Sequence, residues 1–324
     1  MSKTNRSVIL NETIPSGQPV PPDAFSIQES VIPELADGQV LLRPIAFSVD
    51  PVQRTLLAGA REAMMPSYVP GKPIVNFAVA RVVASRRDDV KVGALIQGRF
   101  DWSDYVVWDG KTDIFTQAVD PKIPKVSNAL SISGITGLPA YFGMIEVGQV
   151  QPGETVVVSS AAGAVGSVAG KIAKIRGAKK LGLDVALNFR ADDFAEQLRA
   201  ATSGKIDLYF DSVGGQLSQI IMKQMKRPAR VVECGQIATY DDNNYAWVVN
   251  ISPIHMNGLR LEGFQPMLFH EKWPEAFEQL RKWVESGELV AIETESKGLE
   301  SLPGALTALM KGENTGKAIV TIDE

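Results

Sequence analysis

Three glycines, Gly163, Gly166 and Gly170, follow directly on the apolar run Thr155 to Ser159 in TVVVSSAAGAVGSVAGKIAKIRGA. Behind them Val165, Val168, Ala169 and Ile172 recur at helical spacing, so the stretch predicts a buried strand, a tight turn and a helix facing a sheet. Such a turn suits a dinucleotide. Gly163 permits the tight turn, Gly166 lets a pyrophosphate approach the backbone, and the N–H groups of Ala164 and Val165 point at it with the helix dipole behind them. The spacing departs from GxGxxG because Ala161 stands where the first glycine would be, which leaves a ligand-free turn as the alternative. Two further runs favour a ligand: DSVGG (211–215) and ECGQIATY (233–240) each close an apolar run, and ligands of open parallel sheets bind at those carboxyl ends. Cys234 reads as small core filler rather than a nucleophile, and His255 and His270 have no partner motif.

These residues need a frame. Up to about residue 127 the chain shows short β-like runs, QVLLRPIAFSVD and IVNFAVARVVAS among them, broken by PSGQPVPPD, VPGKP and KVG. From about 128, helix-period segments alternate with TVVVSS, IDLYF, ARVVEC and LRLEGF, the pattern of a parallel sheet with crossover helices. KWPEAFEQLRKWVESGEL puts Trp273, Phe277, Leu280 and Val284 on one helical face, with Pro274 suited to the first turn. LPGALTALMKG reads as a shorter helix stopped by Gly312, and KAIVTI as a last strand. The expected fold class is α/β, a β-rich domain over 1–127 completed by 291–324, and a doubly wound parallel sheet over 128–290.

Composition narrows the chemistry. The 324 residues give ample core for two domains, and a net charge of −4 leaves no basic footprint for nucleic acid. One cysteine and two histidines exclude a disulfide framework and leave a metal site mostly carboxylate, so no metal is expected. The start MSKTNRSVIL has no apolar core of signal-peptide length, and the most apolar stretch, 129–145, is interrupted by Ser, Gly, Thr and Pro. A cytoplasmic protein acting on a small molecule is the expectation.

The ordered motifs SVDPVQR, GITGLPAYFGMIEVGQVQPGETVVVSSAAGAVGSVAGKIAKIRGAK, YFDSVGG, CGQIATY, LEGF and GENTGKAIV resemble the zinc-independent medium-chain dehydrogenase/reductases. Within them the chain is most similar to the branch of leukotriene B4 12-hydroxydehydrogenase/prostaglandin reductases, curcumin reductases and plant alkenal double-bond reductases. The resemblance runs from about residue 38 to the C-terminus. It implies a GroES-like domain, a Rossmann domain, a cleft at their junction and a homodimer. It also implies NADPH as cofactor, with NADH open, and hydride transfer to the β-carbon of an α,β-unsaturated ketone or aldehyde. Tyr240 then polarises the carbonyl or relays the proton. Gly163, Ala164, Val165, Gly166, Thr136, Asn188, Ser212, Cys234, Gly235, Phe264 and Asn314 fall where the family contacts its cofactor, and Asn314 also reads as an ordinary turn residue.

The chain departs from that family at Val52, Pro139, Ser212 and Phe189. Val52 and Pro139 would alter the substrate cleft, and Phe189 removes a hydroxyl near the adenosine phosphate. A larger departure is IRGAKKLGLDVALNF (175–189), where Lys180 runs straight into LGLDVALNF. Roughly 15 to 20 residues are missing there, the strand and ribose loop that a βαβ unit supplies. Either the chain has lost them, or it has a mobile loop that these 324 residues do not include; the cost of opening a sheet beside its crevice favours the second. Asp184 stands near the distance of a ribose-binding acid, but GLD precedes the next expected strand. Zinc alcohol dehydrogenases need more cysteines. Short-chain dehydrogenases need a helical Tyr-x-x-x-Lys, which Pro70 and Gly71 forbid between Tyr68 and Lys72. A quinone reductase, or a cofactor-binding relative turned to another metabolic step, remains as the alternative.

Overall fold

The computed structural model describes residues 4–21, 23–59, 65–112, 114–120, 123–178, 184–240 and 250–323. The chain divides into two units, Met1–Ser131 with Glu293–Glu324, and Ile132–Ile292. The first unit opens with β1 (Thr4–Leu10), β2 (Phe25–Val31), β3 (Val40–Val49), α1 (Val52–Leu57), β4 (Val75–Ser85), β5 (Leu95–Asp101), β6 (Val106–Trp108) and β7 (Gln117–Ala118). The second carries α2 (Gly137–Phe142), β8 (Val156–Val158), α3 (Ala164–Ile175), α4 (Phe194–Thr202), β9 (Ile206–Asp211) and α5 (Gly215–Met222). It continues with β10 (Met225–Glu233), α6 (Ser252–Asn257), β11 (Leu259–Gly263) and α7 (Trp273–Glu285). The chain returns to the first unit with β12 (Glu293–Lys297), α8 (Leu302–Lys311) and β13 (Lys317–Thr321).

In the first unit a seven-stranded sheet runs β12-β13-β3-β4-β5-β7, with β6 on β3, and every pairing except β12 with β13 is antiparallel. Pro44 lies inside β3, where it cannot donate to a ladder; the register shifts between Pro44 and Ala46, and this irregularity accommodates it. Leu42, Phe47, Ala78, Phe100 and Trp102 fill the core beneath. Glu293, at the start of β12, accepts from Lys125 Nζ at 3.0 Å and from Ser127 and Ser131 Oγ, each at 2.7 Å. These contacts fasten the returning chain to the N-terminal part of its own unit.

The second unit holds a parallel sheet in the order β11-β10-β9-β8. The runs that predicted strands form them. Among the described residues β8 is the edge of the sheet, and Asp184–Asp193 form turns and irregular backbone rather than a strand. Lys180 itself lies outside the described residues. The helix expected from Trp273 forms, but its buried face is Trp273, Ala276, Leu280 and Trp283. Phe277 and Val284 flank it half-buried; at 3.6 residues per turn Ala276 and Phe277 lie equally far on either side of the line through Trp273 and Leu280, so packing selects the face. α8 ends as expected at Gly312, whose φ of +72° is the left-handed conformation of a helix C-cap.

Candidate functional site

β8 delivers the chain into a turn in which Gly163 N donates to Ser160 O at 2.8 Å, and Ser160 takes a positive φ of +50°. α3 then starts with Gly163 as N-cap and no side chain capping it. Its leading N–H groups thus remain available to an anion, with the helix dipole aligned behind them. Gly166 has a cause the sequence did not show. A Cβ there would fall on the Ser160 carbonyl oxygen and lie 3.1 Å from Ala161 Cα, so the turn itself excludes a side chain.

Beside the turn, Asp211 at the end of β9 is 1% exposed and organises the neighbouring loops. Its Oδ1 accepts from Val213 N at 2.9 Å, Gly214 N at 3.0 Å and Ser159 Oγ at 3.2 Å, and its Oδ2 accepts from Ser218 Oγ of α5. Ser212 N in turn donates to Ser159 Oγ at 2.8 Å. The residue after β8 and the loop after β9 are therefore held by one carboxylate. The Asp211 carbonyl oxygen also accepts from Cys234 N at 2.8 Å, which ties in the loop after β10.

That third loop carries Cys234, Gly235 and Tyr240. A Cβ on Gly235 would sit 3.0 Å from the Tyr240 hydroxyl, so the glycine makes room for the phenol. Burial pushes the Cys234 thiol up to about 12, which keeps it protonated. Glu233 pairs in register with Asp211 on β9, and its Oε1 is buried without a hydrogen-bond partner. Burial first, and then the Asp211 charge, push its carboxyl up to about 7 against a hydrogen bond from Gln236. Phe264 follows β11, 6.4 Å from the Phe269 ring, which stacks on Phe142 of α2 at 4.7 Å.

Residues 6–115 match the family described as N-terminal domain of oxidoreductase, and 181–320 the family described as zinc-binding dehydrogenase. Prostaglandin reductase 1 of Bos taurus is 35% identical over 91% of this chain and 93% of its own length. The NADPH-dependent curcumin reductase of Escherichia coli (strain K12) is 32% identical, covering 95% of this chain and 94% of its own length. The chain belongs to the zinc-independent medium-chain dehydrogenase/reductases, in the branch of the prostaglandin and curcumin reductases. The crystal structure of CurA from Vibrio vulnificus in complex with NADPH has the same fold, with a TM-score of 0.89 and 27% identity over 98% of this chain and 99% of that one. The curcumin reductase alignment spans 334 positions, more than the 324 residues of this chain, so the relative carries residues with no counterpart here.

For a medium-chain reductase, the expected cofactor residues divide by position. Gly163 to Gly166, Ser212, Cys234, Gly235 and Phe264 follow the four successive strands β8, β9, β10 and β11, at one end of a parallel sheet. Thr136 and Pro139 belong to the start of α2 in the same unit, Thr136 buried and Pro139 half-buried. Asn188 is exposed, and its Oδ1 accepts from Arg190 N at 3.1 Å in a turn. Val52, the first residue of α1, and Asn314 belong to the other unit, and Asn314 Nδ2 donates to Gly316 O at 2.8 Å within its own turn. Arg54 of SVDPVQR is 1% exposed, and its guanidinium donates to the carbonyls of Ile14, Pro15 and Gln18, so it serves the fold. His255 and His270 are exposed.

Sequence reasoning missed Asp211 and Glu233 as site residues. Both were legible as an acid closing an apolar run, the position where burial perturbs a carboxyl. The word zinc in the second family's description does not fit this chain. No three His, Cys, Asp or Glu form a metal-holding group among the described residues, and the one cysteine keeps its proton. No helix of the described residues is long and apolar enough to cross a membrane.

Proposed function

We propose that this oxidoreductase reduces the carbon–carbon double bond of α,β-unsaturated ketones or aldehydes with NADPH. The observation that carries the reading is the uncapped amino end of α3, set beside the Asp211-tied loops at the carboxyl ends of β8, β9 and β10, in a chain of the prostaglandin and curcumin reductase branch. The donor chemistry fits the cofactor. Gly163, Ala164, Val165 and Gly166 would receive its pyrophosphate, with Ser212, Cys234, Gly235 and Phe264 along the same sheet end and Thr136, Asn188 and Asn314 as further contacts. NADPH, when bound, would supply the hydride for the β-carbon. Negative charge then develops on the substrate's carbonyl oxygen, and the Tyr240 hydroxyl is the group assigned to meet it and to hand on a proton. Val52 and Pro139 are assigned to the substrate. On this reading the first unit is the GroES-like domain, the second is the Rossmann domain, and the protein works as a cytoplasmic homodimer.

Loss of NADPH absorbance with a panel of alkenones, alkenals and quinones tests the proposal. Turnover of alkenones and alkenals without quinones supports it. Quinone turnover alone would assign a quinone reductase, and NADPH binding without turnover of any of them would assign another metabolic step.

A further inference from the structure

The first unit contains an ion pair, its lysine buried and its carboxylate partly buried, that the reading above does not use. Lys317, the first residue of β13, is 2% exposed. Its Nζ donates to Asp50 Oδ1 at 2.9 Å and to Val49 O at 2.5 Å. The antiparallel register of Ala318 with Val49 brings the two residues alongside each other. Asp50 Oδ2 accepts from Ser48 Oγ at 2.5 Å and from Asn76 Nδ2 at 3.0 Å, and Asp50 N donates to Gln53 Oε1 at 2.9 Å. Ser48, Gln53 and Asn76 are all 0% exposed. Burial alone would raise the Asp50 carboxyl, but the Lys317 charge and the hydrogen bonds from Ser48, Lys317 and Asn76 outweigh it and hold the group below the ordinary range, so Asp50 is ionised.

Stability alone is a poor reason for this arrangement. A buried ion pair is commonly matched or bettered by apolar residues of the same volume. Asn76 Oδ1 beside it is also buried without a hydrogen-bond partner, which costs further stability. What such a pair does fix is geometry, since each charge has several directional partners and only one arrangement satisfies them. Its place in the chain shows what is being fixed. Val52 lies two residues beyond Asp50, where the chain turns into α1, and Asn314 lies three residues before Lys317 in the turn that enters β13. We propose that the Asp50–Lys317 pair is a positioning element that holds Val52, on the substrate side, and Asn314, on the cofactor side, in a fixed relation within the first unit. This rests on the roles assigned to Val52 and Asn314 in the proposed function.

Lys317→Met alone would leave a partly buried carboxylate without its counter-charge and destabilise the unit. The informative variant is Lys317→Met with Asp50→Leu, which removes both charges and should fold with a Tm close to that of the wild type. The expected result is a KM for a simple alkenone and a Kd for NADPH, read by fluorescence titration, each raised about fivefold or more, as small misplacements are costly in a reacting site. The second variant is Asp50→Glu, which keeps both charges and moves the carboxylate by one methylene. It should raise the same two constants, and it decides the matter if the double variant does not fold. A folded variant with KM and Kd both within twofold of wild type would make the pair structural only and overturn the proposal. A wild-type protein that neither binds NADPH nor reduces an alkenone would instead overturn the proposed function, and the positioning role with it.

Discussion

Tyr240 and Glu233 stand seven residues apart and ask different questions. If the Tyr240 hydroxyl meets the oxygen that becomes negative in the transition state, Tyr240→Phe should lower kcat about tenfold to a thousandfold while leaving NADPH affinity nearly unchanged. Steady-state kinetics with an alkenone and a fluorescence titration of NADPH read the two effects separately, and a parallel loss of affinity would move Tyr240 to cofactor binding. Glu233 predicts a pH effect on stability. Its carboxyl is raised from 4.5 to about 7 in the folded protein, so the folded chain holds that proton more tightly than the unfolded one. The stabilisation is fully present below about pH 4.5 and is lost as the pH rises through about 7. Thermal melts at pH 5 and pH 8 should show this loss, on the order of 1 to 2 kcal/mol, and Glu233→Gln should abolish it. Tyr240 stands out in the sequence because it ends a motif, and the fold sets its hydroxyl beside Gly235. Glu233 carried a weaker signal, since its burial and its pairing with Asp211 come from the register of β10 against β9.

At the scale of elements, the β8 turn and α3 show a cause that the sequence does not display. The glycine positions are legible in TVVVSSAAGAVGS, yet Gly166 is demanded by the carbonyl of Ser160, and only the folded turn displays that contact. Gly166→Ala should therefore lower stability by about 1 to 3 kcal/mol, whereas Gly163→Ala should cost less, since its Cβ meets the Ser160 hydroxyl 2.7 Å away. That hydroxyl can rotate aside. Differential scanning fluorimetry of the two variants checks the order, and equal melting temperatures would count against this account of the turn. The strands β8 to β11 were legible from apolar runs, and α8 from its terminal glycine. The run LGLDVALNF was not, because its apolar pattern suits a strand, but a strand also needs a neighbour to pair with, and Asp184–Phe189 form none. The face of α7 was read one position off because Trp273 and Leu280 alone do not choose between Ala276 and Phe277 as the residue between them.

For the whole molecule, the presence of one mostly antiparallel sheet and one parallel sheet was legible in the change of texture near residue 128. The ion pair that joins Asp50 to Lys317 was not, because its partners lie 267 residues apart in the sequence. With one cysteine and two histidines in the chain, dialysis against a strong chelator should leave turnover unchanged, and a loss restored by zinc would contradict the donor-set argument. The central claim is that hydride goes to the β-carbon rather than to the carbonyl carbon, and the fate of a labelled hydride tests it most directly. An alkenone is incubated with the protein and NADPH deuterated at C4 of the nicotinamide, and the product is examined by NMR. The account predicts a saturated ketone with one deuterium on its β-carbon. Deuterium on a carbinol carbon, or no transfer by a protein that binds the cofactor, would contradict it.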